Sequence, residues 1–176
     1  MRADIAPGMT APTLELDVDP IWGDAIDWEA LAARAAQAAA SVAPELAHDN
    51  LLVSLVLGDD AEVQTLNKQW RAKDRPTNVL SFPMLERGEL LALEPEGPPE
   101  LLGDIAIAHA TCVREAAEKG IPLEHHAAHL IVHGLLHLAG HDHETCAADA
   151  DAMEALEIKA LAHMGIGNPY CVAPLN

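Results

Sequence analysis

Aromatic residues are nearly missing from this chain, which has three Trp, one Tyr and one Phe among 176 residues. Half the residues are hydrophobic all the same, so the core must be aliphatic and rich in alanine. Positive charge is scarce as well: ten Lys and Arg stand against 28 Asp and Glu, a net charge of −18. Taken as a whole, such an acidic body argues against binding nucleic acid by general attraction. Long apolar runs are absent, and none approaches the ~20 residues of a membrane span. The stretch Met1 to Asp19 has no apolar segment behind a basic start, so no secretory signal is expected. Cys112, Cys146 and Cys171 are an odd, scattered set without a CxxC pair, which suits a reducing cytoplasm better than a disulfide framework. The length suits one domain, residues 1–176, with 1–12 and 165–176 expected to be flexible tails.

The apolar pattern divides the chain into strands and helices. Thr13 to Asp19 alternates apolar and charged residues, the period of a half-buried strand. Trp28 to Val42 reads as an alanine-rich helix stopped near Pro44, and Asn50 to Leu57 as a strand closed by Gly58. Asp59 or Asp60 caps a helix predicted to carry Val63, Leu66 and Trp70 on one face. A strand follows at Thr77 to Phe82. Met84 to Pro99 is rich in Glu, Gly and Pro, the composition of a solvated loop with at most a brief helical turn. A further strand is expected from Leu101 to Ala108 and a helix from His109 to Lys119, ended by Gly120. Pro122 opens another helix. Ala147 to Met164 has Met153, Leu156, Ala160, Leu161 and Met164 at helical spacing, and the stretch from Gly165 has no periodicity. These elements predict an α+β fold: a small mixed sheet of about four strands with helices packed on it, one of them a zincin-like metal helix. Strand order is not readable.

Seven of the ten histidines lie between His125 and His143. His133 and His137 share one helix face, about 6 Å apart along the axis at 1.5 Å rise per residue. Both sit in a segment apolar nearly all round, where an imidazole needs partners for its nitrogens. A metal and a carboxylate or carbonyl behind the ring supply them. His125 and His129 continue the four-residue steps, but three ligands along one helix would span about 12 Å, too far for Zn–N bonds of about 2 Å. The third ligand must come from beyond Gly140, which can end the helix and turn the chain back. His143 has the favoured offset, with His141 and Asp142 as local competitors. Cys146 is not needed once three histidines are in place, and satisfied structural roles are expected for His109, His125, His126 and His129, although His129 could line the approach. Three imidazoles with an open fourth position suit a catalytic zinc. The spacing H-x3-H-x2-G-x2-H is also that of one class of zinc peptidases, but where they carry a glutamate this chain has Gly134.

Four of the ten basic residues fall within eight positions, Lys68, Arg71, Lys73 and Arg75. Their plain reading is the solvated end of a helix, where cations are favoured. Taken with the histidines they say more. LNKQWRAKDRPTNVLSFP from Leu66, the strand Leu102-Gly103-Asp104-Ile105 and HGLLHLAGHDH from His133 together closely resemble the YbeY family of bacterial endoribonucleases, over about residues 50 to 160. His141 stands where relatives often carry tyrosine.

The resemblance implies a zinc-dependent, single-strand-specific endoribonuclease of the cytoplasm, acting in 16S rRNA 3′-end maturation and ribosome quality control. It implies one Zn²⁺ per chain held by His133, His137 and His143, Arg71 as the functional arginine of the same cleft, and Asp104 as an acidic position that meets a ribosomal partner. Such a partner would be the ribosome, a ribosomal protein or an assembly GTPase. Lys68, Lys73 and Arg75 would hold the RNA backbone without reading its sequence. Attack by a metal hydroxide and attack by the RNA's own 2′-hydroxyl both remain open. Two rivals are a non-catalytic assembly factor with a structural zinc and, further off, a metallopeptidase, which Gly134 and the basic block disfavour.

Overall fold

The computed structural model describes residues 10–71, 77–94, 97–141 and 147–170. Four strands form one sheet: β1 (Thr13–Val18), β2 (Leu51–Gly58), β3 (Val79–Pro83) and β4 (Glu100–Ala108), in the order β1-β2-β4-β3. The pairs β1–β2 and β2–β4 are parallel and β3 lies antiparallel to β4, so the sheet is mixed, as expected. Helices α1 (Trp28–Val42), α2 (Asp60–Arg71), α4 (His109–Lys119), α5 (Leu123–Leu138) and α6 (Ala147–His163) surround it, with a short α3 (Arg87–Leu91) inside the acidic loop.

Alternation along the strands sorts side chains to the two faces of the sheet. Leu51, Val53, Leu55 and Leu57 of β2 and Ile105 and Ile107 of β4 meet α1, α5 and α6 in one large aliphatic core. Alanines fill its tight places: Ala32, Ala35, Ala36 and Ala39 of α1 are all but fully buried. Two of the three tryptophans belong here, with Trp22 set edge-on to Trp28 and its indole N–H donating to Gly58 O. A smaller cluster forms where Val63 and Leu66 of α2 meet Leu80, Ala106 and Ala108. Trp70 does not join it. The face predicted for α2 is right at Val63, but Trp70 lies about 10 Å further along the axis, past the patch, and is 71% exposed.

Helix α5 comes unusually close to the sheet at one point. A Cβ placed on Gly134 would stand 2.9 Å from Ile105 Cδ1 and 3.1 Å from its Cγ2. Glycine at 134 is thus what lets α5 lie down on β4. Near the start of α5, Glu115 of α4 lies 2.8 Å from His126 Nε2, and the same oxygen accepts from Asn78 at the entry to β3.

Two outcomes are expected. Gly134→Val forces the helix from the sheet and should cost about 2–3 kcal/mol in urea unfolding. Ile105→Ala in the same chain should recover part of that loss, and strictly additive effects would show that Ile105 is not the obstacle. Burial pushes the His126 pKa below its ordinary 6.5, against the upward pull of Glu115. The folded chain therefore holds this proton less readily than the unfolded one. Its contribution to stability is complete above about 6.5 and is lost as pH falls below that value. The urea midpoint should fall from pH 7.5 to pH 5.5 less steeply in His126→Gln than in the parent.

Candidate metal centre

Helix α5 ends as its glycine predicts. Gly140 takes a left-handed φ of 97°, its N–H donates to His137 O and the His141 N–H reaches back to Leu136 O. These two bonds are the Schellman arrangement, which satisfies the last carbonyls and sends the chain back across the helix end. Arg87 of α3 braces the turn. Its Nη1 donates to Ala139 O at 2.7 Å and to Glu45 Oε2 at 2.7 Å, and His141 Nε2 lies 3.0 Å from the same oxygen. Burial alone would raise the Glu45 pKa, but a backbone hydrogen bond, Arg87 and His141 hold it below the ordinary value. The acidic loop is thus tied at Arg87 to the segment that leads towards position 143.

On the flank of α5, His133 and His137 stand one turn apart, half-buried, with ring centroids 4.7 Å apart and planes at 73°. Behind them α6 supplies Glu157, with no exposed surface. Its Oε1 lies 3.3 Å from His133 Nδ1 and 2.6 Å from His129 Nε2, and accepts from the Tyr170 hydroxyl at 2.7 Å. Burial would raise the Glu157 pKa, but the donors aimed at it from His129, His133 and Tyr170 bring it down to about 2. Burial and the adjacent carboxylate push the Tyr170 phenol up, so it stays a donor.

His129, His133 and Glu157 offer ligand atoms within 4.8 Å of one another and could hold a metal ion. The details favour a different division of labour. Two ligands of one tetrahedral zinc, with bonds of about 2.0–2.1 Å, stand about 3.3 Å apart, whereas His129 Nε2 and Glu157 Oε1 are only 2.6 Å apart. That is a hydrogen bond. His133 turns Nδ1 to the carboxylate, which leaves Nε2 on the opposite edge of the ring, the arrangement of a metal-binding histidine backed by a carboxylate. The residues present therefore fit a metal, with His133 and His137 at its edge and Glu157 behind.

Of the other residues singled out in the sequence, His143, Lys73 and Arg75 lie outside the described residues, as does the side chain of Arg71, the last residue of α2. Lys68 is exposed on α2. Asp104 is half-buried in β4, in register with Ser54 and Phe82 on the neighbouring strands. Glu157 and Tyr170 were missed. The signal for Glu157 was there: it sits four residues from both Met153 and Leu161, an acid on the apolar stripe of α6. Tyr170 lies in the stretch without periodicity and had no such signal. Gly134, standing where the zinc peptidases carry a glutamate, faces Ile105 of the sheet.

The fold and site define an α+β protein with a histidine–carboxylate centre, able to hold a metal, on a helix laid against a mixed sheet. Residues 21–165 match the family described as Endoribonuclease YbeY, and the chain belongs to that family. It is 68% identical over 165 residues to the Endoribonuclease YbeY of Novosphingobium aromaticivorans, covering 93% of this chain and 99% of the relative. With the Endoribonuclease YbeY of Erythrobacter litoralis it shares 59% identity over 157 residues, covering 89% and 96%. A solution structure of a Thermotoga maritima protein has the same fold, with a TM-score of 0.55 at 24% identity over 85% of this chain and 87% of that one. Among the described residues no helix is long and apolar enough to cross a membrane.

Arg87→Met should loosen the turn after α5. The Arg87 side chain is partly exposed, so the expected loss of stability is modest, about 1 kcal/mol. Amide exchange at Gly140 and His141 should quicken, and unchanged exchange there would show that Arg87 does not brace the turn.

Proposed function

We propose that this chain is a zinc-dependent endoribonuclease that cuts single-stranded RNA in the maturation of the 16S rRNA 3′ end and in ribosome quality control, in the cytoplasm. One observation carries the reading: in a member of the endoribonuclease YbeY family, His133 is backed by a buried carboxylate with His137 one turn on. His133, His137 and His143 would hold one zinc ion. When bound, zinc supplies a water of lowered pKa, near 7, and a Lewis acid for a phosphodiester oxygen.

The remaining chemistry belongs to side chains. Arg71 presents a planar fork of donors to phosphate oxygens and offsets the charge that builds on them during cleavage. Lys68, Lys73 and Arg75 hold the backbone on either side. No carboxylate follows His133 in the chain, so a peptidase-style base is not available from that position. With a net charge of −18 the body repels RNA at a distance, and delivery by a partner offsets this. Asp104 is the residue assigned to that partner, a ribosomal protein or an assembly GTPase on the ribosome.

The test is cleavage of precursor rRNA by zinc-loaded protein. His133→Ala should lose both zinc and cleavage while keeping its fold. Arg71→Ala should keep zinc and lose about 10²–10³ in rate. Fully zinc-loaded protein that leaves the RNA intact would establish the rival role, a non-catalytic assembly factor with a structural metal.

A further inference from the structure

Glu157 Oε1 is crowded by three groups, and a carboxylate can only accept. Tyr170 donates its hydroxyl hydrogen to it at 2.7 Å. His129 Nε2, at 2.6 Å, must carry a proton as well, and His133 turns Nδ1 to the same oxygen at 3.3 Å, where a proton on that nitrogen completes the set. A neutral imidazole has one N–H. For His133 this places the hydrogen on Nδ1 and the lone pair on Nε2, on the far edge of the ring. For His129 the order is reversed: Nε2 is spent on the carboxylate, and Nδ1 is buried with no hydrogen-bond partner among the described residues. Two histidines one turn apart on one helix are thereby given opposite tautomers by a single oxygen.

The carboxylate is itself held. The Tyr170 ring stands edge-on to His129, centroids 5.4 Å apart at 87°, and the Tyr170 N–H donates to Asn168 Oδ1 at 2.8 Å. The segment after α6 is thereby tied to the back of the histidine pair.

We infer that Glu157 is the positioning residue of the centre: with Tyr170 and His129 behind it, it fixes His133 as the Nδ1–H tautomer with Nε2 presented for a metal, and it keeps His129 out of the ligand set. The inference deepens the function proposed above and rests on its reading of His133 as a ligand. Outer carboxylates of this kind set both ring orientation and basicity, and losing one typically weakens metal binding about 10–100-fold.

The tautomers can be read without metal or activity, by long-range ¹H–¹⁵N correlation NMR of the zinc-free full-length chain at a pH where its histidines are neutral. His133 should appear as Nδ1–H and His129 as Nε2–H, and Glu157→Gln should turn His133 into a mixture. Finding His133 as Nε2–H in the parent overturns the inference. In competition with a chromophoric chelator, Glu157→Gln should bind zinc about 10–100-fold more weakly. It should still take one ion per chain and keep the visible spectrum of the cobalt(II)-substituted parent. An altered cobalt spectrum would make Glu157 a ligand, and unchanged zinc affinity would leave it no role. If Glu157→Gln does not fold, Tyr170→Phe decides, since it removes one hydroxyl from a half-exposed ring. It should weaken zinc binding by about threefold or more, and an unchanged affinity overturns the inference. A parent chain that binds no zinc overturns the proposed function, while the zinc-free spectra still decide what Glu157 does to His133.

Discussion

The close approach of α5 to β4 governs the rest. Gly134 lets the helix backbone rest on Ile105, and a helix pinned at one point and packed along its length has little freedom to rotate. That orientation sends Leu135 and Leu138 into the aliphatic core and leaves His133 and His137 half-buried on the flank. Helical geometry then does the remaining local work, since residues four apart stack on one face. Van der Waals contact thus decides which flank of the fold the histidines occupy.

The polar part of the centre is built on that packing and is costly by itself. A carboxylate with no exposed surface loses its water, and only donors aimed at it make the burial tolerable. Glu157 finds them on α5 and in the segment after α6, so three parts of the chain distant in sequence meet at one oxygen. The turn after α5 repeats the pattern on a smaller scale. There Glu45 gathers Arg87 and His141, and Arg87 also reaches the carbonyl of Ala139 at the helix end. Glu157 and Glu45 thus each gather partners from more than one part of the chain.

What the sequence revealed was what short-range geometry dictates. The strands showed by alternation, the helices by their apolar stripes, and the turn at Gly140 by a glycine standing where a helix must stop. The histidine spacing marked a candidate centre, because i and i+4 are neighbours on any helix, and His133 does belong to a group able to hold a metal. Residues whose meaning depends on a distant partner were harder to read. Trp70 has the periodicity of a core residue, but periodicity does not say where the facing surface ends. Glu157 announced itself only as an acid on an apolar stripe, and Tyr170 had no local signal because its partner lies 13 residues back across a turn. The parallel order of β1, β2 and β4 depends on crossovers that leave no mark in local composition.

Gly134 also bears on how enzymes diverge. The histidine spacing is that of a class of zinc peptidases, the residue after the first histidine is not, and a glycine codon is one base from a glutamate codon. In this fold that short step leads into the sheet: the new side chain would meet Ile105, and its carboxylate would be buried there without a partner. Two proteins that are neighbours in sequence space can therefore be separated by a packing barrier. Crossing it would require moving the helix before changing its chemistry.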